Sequence, residues 1–324
     1  MKAIRPDGTG GPEQLVLRDA PARAPGPGEV RVKVAFAGVN YIDVYHRTGL
    51  YPMPRPIPIG QEGAGVVEAL GPGADAIDGL AIGARVAWCG VPGSYATEAI
   101  VAADKLVPVP DELGLDQAAA AMLQGLTAHY LVTSTWPLAR GQHALVHAAA
   151  GGVGLLLGQL ARREGAIAIG TVSTDAKVEA ARAAGYAHVI RYDRDDFVAG
   201  TRAIAAAGVD VVYDSVGKTT FDRSLDCLRP RGMLVLFGQS SGPVPPVDLQ
   251  VLARKGSLFV TRPVLGAYTA TRGELLARAA DVLGAIAKRE LSLTIDRVLP
   301  LAGAAEAHRL LEARATSGKL LLAC

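Results

Sequence analysis

Between Ala144 and Val172 the chain reads A-L-V-H-A-A-A-G-G-V-G-L-L-L-G-Q-L-A-R-R-E-G-A-I-A-I-G-T-V. An apolar run, a turn of small residues, an amphipathic helical run and a second apolar run form the phosphate-binding unit of a dinucleotide fold. The turn is a variant, with Ala149, Gly151 and Gly154 at its glycine positions and Gly152 adding a further position without bulk. Small residues let backbone N–H groups approach a pyrophosphate, whose charge then rests on the helix N-terminus. The residues after the second run bear on the cofactor. The usual place of a ribose-binding acid holds Val172 and Ser173, with Thr174 and Lys177 just behind. A carboxylate there would accept from a ribose 2′-hydroxyl, whereas hydroxyls and a lysine suit a 2′-phosphate. The expected cofactor is therefore NADP(H).

The alternation continues downstream. Strands are predicted over 144–149, 166–172, 188–192, 210–215, 233–238 and 257–261, with helices predicted over 152–164, 175–184, 195–207, 219–228 and 248–255. Six strands with right-handed crossovers make a complete doubly wound α/β sheet. The first 120 or so residues read differently, rich in proline, glycine and short alternating runs such as Val30 to Ala37 (V-R-V-K-V-A-F-A). Four prolines between Tyr51 and Pro58 predict a rigid loop. An alanine-rich helix is predicted over 116–130 as the join between two domains. Helices predicted over 274–290 and 304–315 return to the first domain.

The 324 residues suit two domains, and half of them are hydrophobic. Thirty-three basic against 31 acidic residues leave a net charge of +2, with no arginine-rich run, so nucleic acid is not implied. There is no apolar run of about 18 residues and no signal-like start, which predicts no membrane span. The three cysteines are scattered and form no C-x-x-C, so neither a disulfide framework nor a structural zinc lobe is expected. A cytoplasmic protein is the expectation. The six histidines show no metal or triad spacing; His147 reads as a hydrogen-bonded core residue and Cys227 as a small buried hydrophobe.

A β-rich first domain, a late nucleotide fold and a C-terminal return resemble the medium-chain dehydrogenase/reductase superfamily. Within it the chain is similar to the zinc-free quinone oxidoreductases, the zeta-crystallin-like branch. The residues that carry the resemblance are V-N-Y-I-D-V-Y-H-R-T-G-L-Y-P (39–52), H-A-A-A-G-G-V-G (147–154), V-V-Y-D-S-V-G (211–217), S-L-D-C-L-R-P-R-G (224–232), F-G-Q-S-S-G (237–242) and K-G-S-L-F-V-T-R-P (255–263). They cover nearly the full length. The resemblance implies a GroES-like catalytic domain over 1–122 and 266–324 and an NADP-binding Rossmann domain over 123–265. Where zinc alcohol dehydrogenases have a cysteine and a G-H-E turn, this chain has Val39-Asn40 and Gly60-Gln61-Glu62. Amides are poor zinc partners, so no metal is expected.

The resemblance also implies roles. Asn40, Tyr45 and Tyr51 would line the nicotinamide and acceptor cleft, tyrosine offering a flat apolar face and a phenol. Asp43 would cap or orient the loop. Cofactor contacts would come from Tyr130, the turn residues Gly151, Gly152, Val153 and Gly154, then Ser173, Thr174, Lys177, Tyr192, Ser215, Phe237, Gly238, Gln239, Ser240, Arg262 and Arg314. Without a metal, the reaction suits an acceptor that delocalises incoming charge, a quinone or an enone. NADPH-dependent quinone reduction leads. An alkenal/enone reductase is the enzymatic alternative, and a crystallin-like or NADPH-sensing protein with little turnover is the alternative of another class. A homodimer is implied, joined by the apolar run Leu258 to Leu265 adding edge strands of two Rossmann sheets.

Overall fold

The computed structural model describes residues 1–77 and 79–324. The chain divides into two compact units, Met1–Leu126 with Thr269–Cys324, and Thr127–Tyr268.

In the second unit, six parallel strands lie in the spatial order His188–Arg191, Ile167–Val172, His143–Val146, Val209–Asp214, Leu228–Leu236 and Phe259–Thr261. In chain order this is 3-2-1-4-5-6, the doubly wound arrangement, with its topological switch between the first and fourth strands. Helices α3 (Gly152–Arg163), α4 (Asp175–Ala183), α5 (Phe197–Ile204) and α6 (Phe221–Cys227) fill the crossovers. Leu145, Ile169, Val212 and Leu234 from four neighbouring strands form the buried centre, closed by Phe197, Phe221 and Leu225. Several elements are shorter than their periodicity predicts. Helix α5 starts at Phe197 because Asp196 caps it, its Oδ1 accepting from Val198 and Ala199 N–H at 2.9 and 3.0 Å. The helix predicted over 248–255 covers Gln250–Arg254, and the one predicted over 304–315 covers Ala304–Glu312.

The first unit is built on a seven-stranded sheet. Its long central strand Glu29–Val39 pairs antiparallel with Glu62–Leu70 on one side. The C-terminal strand Lys319–Ala323 pairs antiparallel with residues 36–39 of the central strand, and Glu98–Ala102 with residues 29–33. Trp88, Val30, Val32 and Val101 form one buried cluster; Ile4, Ile57, Ile59 and Leu322 belong to another. Two registers place the functional residues. Leu320 lies opposite Val39, so Lys319 comes level with Asn40; Gly63 lies opposite Ala37, so Glu62 comes level with Gly38. Helix α1 (Tyr41–Thr48) leaves the strand at once, and α2 (Leu115–Tyr130) follows the small-strand region. Among the described residues no helix is long and apolar enough to cross a membrane.

Candidate functional site

The turn in the second unit has the shape its small residues predict. Ala148 takes a left-handed φ of 54°, and Gly151 N–H donates back to its carbonyl at 2.9 Å. Gly151 is the N-cap of α3 and has no side chain to satisfy the first-turn N–H groups, which leaves them to an anion. Gly154 is required by close approach: a Cβ there would strike the carbonyl oxygen of Ala148 and lie 2.7 Å from that of Ala149. His147, just before the turn, is buried between Thr171 Oγ1 (3.0 Å from Nδ1) and Ser224 Oγ (2.9 Å from Nε2). Burial lowers its pKa, with Asp214 opposing. It is a hydrogen-bonded core histidine.

At the end of the second strand, Tyr192 N–H donates to Val172 O at 3.1 Å, which brings Tyr192 beside Ser173, Thr174 and the start of α4. Thr174 caps α4, its Oγ1 accepting from the N–H of Lys177 at 3.3 Å. Asp175 comes next in the chain, and its carboxylate is engaged by Arg191 and, at 3.5 Å, by Arg194. At the switch point Asp214 organises the next loop. Its Oδ1 accepts from Val216 and Gly217 N–H at 2.7 and 3.0 Å, and its Oδ2 accepts from Thr220 Oγ1 at 2.7 Å. Phe237 N–H donates to Asp214 O at 2.8 Å and Ser240 N–H to Ser215 O at 3.1 Å. Ser215, Phe237, Gly238, Gln239 and Ser240 therefore lie side by side on the carboxyl edge of the sheet. Tyr130 is buried and stacks on Tyr268, 4.2 Å between centroids and 9° between planes. Burial raises its phenol pKa, Tyr268 adds to the rise, and Arg262 opposes it.

Within the first unit, Asn40 sits at the N-terminus of α1, and its backbone N–H donates to Asp43 Oδ2 at 2.9 Å. Asn40 is thus the N-cap, and Asp43, three residues on, closes a capping box with it. The Asn40 side chain donates through Nδ2 to Glu62 Oε1 at 3.1 Å and to Gly38 O at 3.3 Å. Its Oδ1 accepts from Lys319 Nζ at 2.7 Å. Glu62 and Lys319 form a buried ion pair, and Glu62 Oε2 accepts from Leu123 N–H at 2.6 Å. Gly38 must lack a side chain, because a Cβ would enter the space of the Glu62 carboxylate. Tyr45 and Tyr51 meet edge to face, 5.1 Å apart, with Tyr51 N–H donating to Tyr45 O at 3.1 Å. Behind them lies a second polar chain. Tyr95 Oη approaches Asp43 Oδ2 at 3.3 Å and His308 Nε2 at 3.2 Å. Burial pushes Asp43 up to about 7 and His308 down to about 3. Arg314 lies on the exposed segment after the helix 304–312, with a left-handed φ of 55°.

A family model for the alcohol dehydrogenase GroES-like domain matches residues 26–111, and one for zinc-binding dehydrogenase matches residues 152–280. A quinone oxidoreductase of Pseudomonas aeruginosa is 45% identical over 316 residues, 97% of this chain and 96% of the relative. The crystal structure of Escherichia coli quinone oxidoreductase complexed with NADPH superposes with a TM-score of 0.97 at 40% identity, covering 100% of both chains. The chain belongs to the quinone oxidoreductases of the medium-chain dehydrogenase/reductase superfamily. A 2-haloacrylate reductase from Burkholderia is also similar, 42% identical over 97% of this chain and 96% of the relative.

The zinc in the wider family's description does not fit the donors of this quinone oxidoreductase relative. Zinc takes three protein ligands of N, S or anionic O type at a catalytic site. Here the Asn40 amide is held by Lys319, Glu62 and Gly38, and the Gln61 amide lies 3.3 Å from His46 Nδ1. The nearby carboxylate, Glu62, already carries an ammonium partner. NADPH, by contrast, fits the uncapped start of α3 and the Gly154 cradle. Sequence reasoning missed Glu62, Lys319 and Asp214 as organisers of this site. The signal for Lys319 was a lone lysine opening the apolar run K-L-L-L-A, a charge that a strand interior accepts only with a partner.

Proposed function

We propose that this protein is an NADPH-dependent quinone oxidoreductase that works without zinc. The observation that carries the reading is the donor set around Asn40, in which an amide and a buried ion pair replace soft metal ligands. Such a site cannot polarise a simple carbonyl as a Lewis acid does. It suits a substrate that spreads incoming charge through conjugation, as a quinone does. Bound NADPH supplies the hydride. The chain's own residues bind, orient and exclude water: the α3 terminus and Gly151 to Gly154 take the pyrophosphate, while Ser173, Thr174, Lys177 and Tyr192 take the 2′-phosphate end. Ser215, Phe237 to Ser240, Tyr130, Arg262 and Arg314 complete the cofactor contacts, and Asn40, Tyr45 and Tyr51 serve the reacting end. The domains follow as GroES-like catalytic and Rossmann NADP-binding.

The similarity to a 2-haloacrylate reductase supports a second reading, reduction of a conjugated alkene on the same scaffold. Steady-state rates with NADPH and NADH against 1,4-benzoquinone and a 2-alkenal separate the two. NADPH binding without turnover on either would point instead to a sensing or crystallin-like role. Lys177→Ala should weaken NADPH about tenfold or more, the worth of one charge-assisted contact, and leave NADH unchanged. An equal effect on both nucleotides would sink the 2′-phosphate assignment.

We also infer a homodimer joined through the Rossmann edge. Among the described residues, strand Phe259–Thr261 pairs on one side only, with Leu228–Leu236, and Phe259, Val260 and Val264 are exposed. An open apolar edge of this kind calls for a cover. The three free thiols support a reducing, cytoplasmic location. Recovery of a tagged chain in the cytosolic fraction, rather than in the membrane pellet, checks the latter.

A further inference from the structure

Inside the first unit, α1 and the helix Ala304–Glu312 are joined by two polar rungs. Residues four apart share one face of a helix, so Asp43 and Arg47 leave α1 on one side, as His308 and Glu312 leave the other helix. On the first rung, Tyr95 Oη lies 3.3 Å from Asp43 Oδ2 and 3.2 Å from His308 Nε2. On the second, Arg47 Nη2 donates to Glu312 Oε1 at 2.8 Å. Asp43, Tyr95 and His308 are wholly buried and Arg47 is 1% exposed, which keeps bulk solvent from them. Yet among the described residues Asp43 Oδ1, His308 Nδ1, Arg47 Nε and Arg47 Nη1 have no partner. All four atoms belong to side chains that make the rungs. Burial, and after it the charge of Arg47, lowers the His308 pKa, which places the guanidinium near the ring.

Buried polar groups are almost always paired, with protein or with ordered water. Here the mixture of leftover atoms identifies the partner. Arg47 offers only hydrogens. If Tyr95 gives its single hydrogen to Asp43, His308 supplies the hydrogen of the other contact through Nε2, and Nδ1 is a bare lone pair. Two acceptors, Asp43 Oδ1 and His308 Nδ1, then stand against the Arg47 donors. If Tyr95 gives its hydrogen to Nε2 instead, Nδ1 becomes a donor and Asp43 Oδ1 is the acceptor left over. In either arrangement donors and acceptors are mixed. An anion would serve the donors alone, and a cation the acceptors alone. Arg47 pairs with Glu312 rather than closing on Asp43 one turn away. Water brings two hydrogens and two lone pairs and suits both arrangements. We infer that at least one water molecule is bound between these two helices, accepting from Arg47 and donating to Asp43 Oδ1 or His308 Nδ1. It joins the two rungs into one network and ties α1, the helix that Asn40 caps, to the C-terminal segment.

The unmodified full chain carries the first test. A high-resolution crystal structure should show an ordered peak at about 2.7–3.2 Å from Arg47 Nε or Nη1 and from Asp43 Oδ1 or His308 Nδ1. Crystals grown in bromide should give no anomalous signal at that point; a bromide peak would make it an anion site and overturn the inference. So would a guanidinium closed directly on Asp43 or His308 with no density between them. In solution, oxygen-17 relaxation dispersion counts waters held longer than the protein takes to tumble. Arg47→Met with Glu312→Gln removes the donors without stranding a carboxylate and should lose about one such water per chain. An unchanged count in a double variant shown by its melting temperature to be folded would mean that no bound water depends on Arg47, and would overturn the inference. The crystallographic test needs no variant, so it decides the matter even where the double variant does not fold.

Discussion

Asp43→Asn isolates the cost of holding a carboxyl group in the interior. Asp43 is fully buried; Oδ2 accepts from Asn40 N–H and lies 3.3 Å from Tyr95 Oη, and among the described residues Oδ1 has no partner. Burial raises its pKa from 3.8 to about 7, opposed by the Asn40 hydrogen bond and the charge of Lys319. The folded value exceeds the unfolded one, so between those pH values the native state keeps a proton that the unfolded chain loses. The stabilisation is full below the unfolded pKa and declines as pH rises, levelling off above about 7. At about 1.4 kcal/mol per unit, the span of roughly three units is worth about 4 kcal/mol in all. His308 acts in the opposite sense. Its pKa is lowered from 6.5 to about 3, so its contribution is present above the unfolded value and is lost as pH falls through that range. The wild-type profile should consequently be shallow where the two overlap. The amide introduced by Asp43→Asn mimics the neutral acid at every pH and still accepts from Asn40 N–H. Urea unfolding followed by the fluorescence of buried Trp88 should show the variant gaining about 3 kcal/mol on the wild type between pH 4.5 and 7.5. Two curves that run parallel across that range would refute the argument.

Gly154→Ala places a methyl against two backbone carbonyl oxygens, which only a shift of the turn can relieve. It should cost about 1–3 kcal/mol and weaken NADPH more than tenfold, measured by calorimetric titration and melting. Phe259→Glu puts a charge on the open edge strand; if the proposed edge-to-edge dimer forms, sedimentation equilibrium should report a dimer for the unmodified chain and a monomer for this variant, and the same mass for both would refute the dimer.

The Rossmann unit was legible because its signals are local. Each apolar run and the helix after it declare themselves within about thirty residues, and the small residues at 149–154 mark the first crossover. Helix α1 was not foreseen: Asn40, Asp43, Tyr45 and Tyr51 come to notice only through the resemblance of 39–52 to a family motif, and that segment reads as a loop. What escaped was pairing across the chain. Neither Ile295–Pro300 nor Lys319–Ala323 stands out as a strand, and the contact between Lys319 and Asn40 spans 279 positions. Periodicity cannot report that a lysine will be neutralised by a glutamate from another strand. Asp214 escaped for a related reason: its part in tying two loops together depends on parallel neighbours brought side by side only by the doubly wound order.

The threading of Lys319–Ala323 beside Val39 also sets a timetable for synthesis. Residues 127–268 contain every strand of their sheet and can close while the ribosome is still translating. The strand 29–39 emerges far earlier, yet must wait with an unpaired border and Glu62 without its counter-ion until residue 319 is made. A segment made early is thus the last to mature, and for that interval it depends on whatever shields exposed strands in the cell.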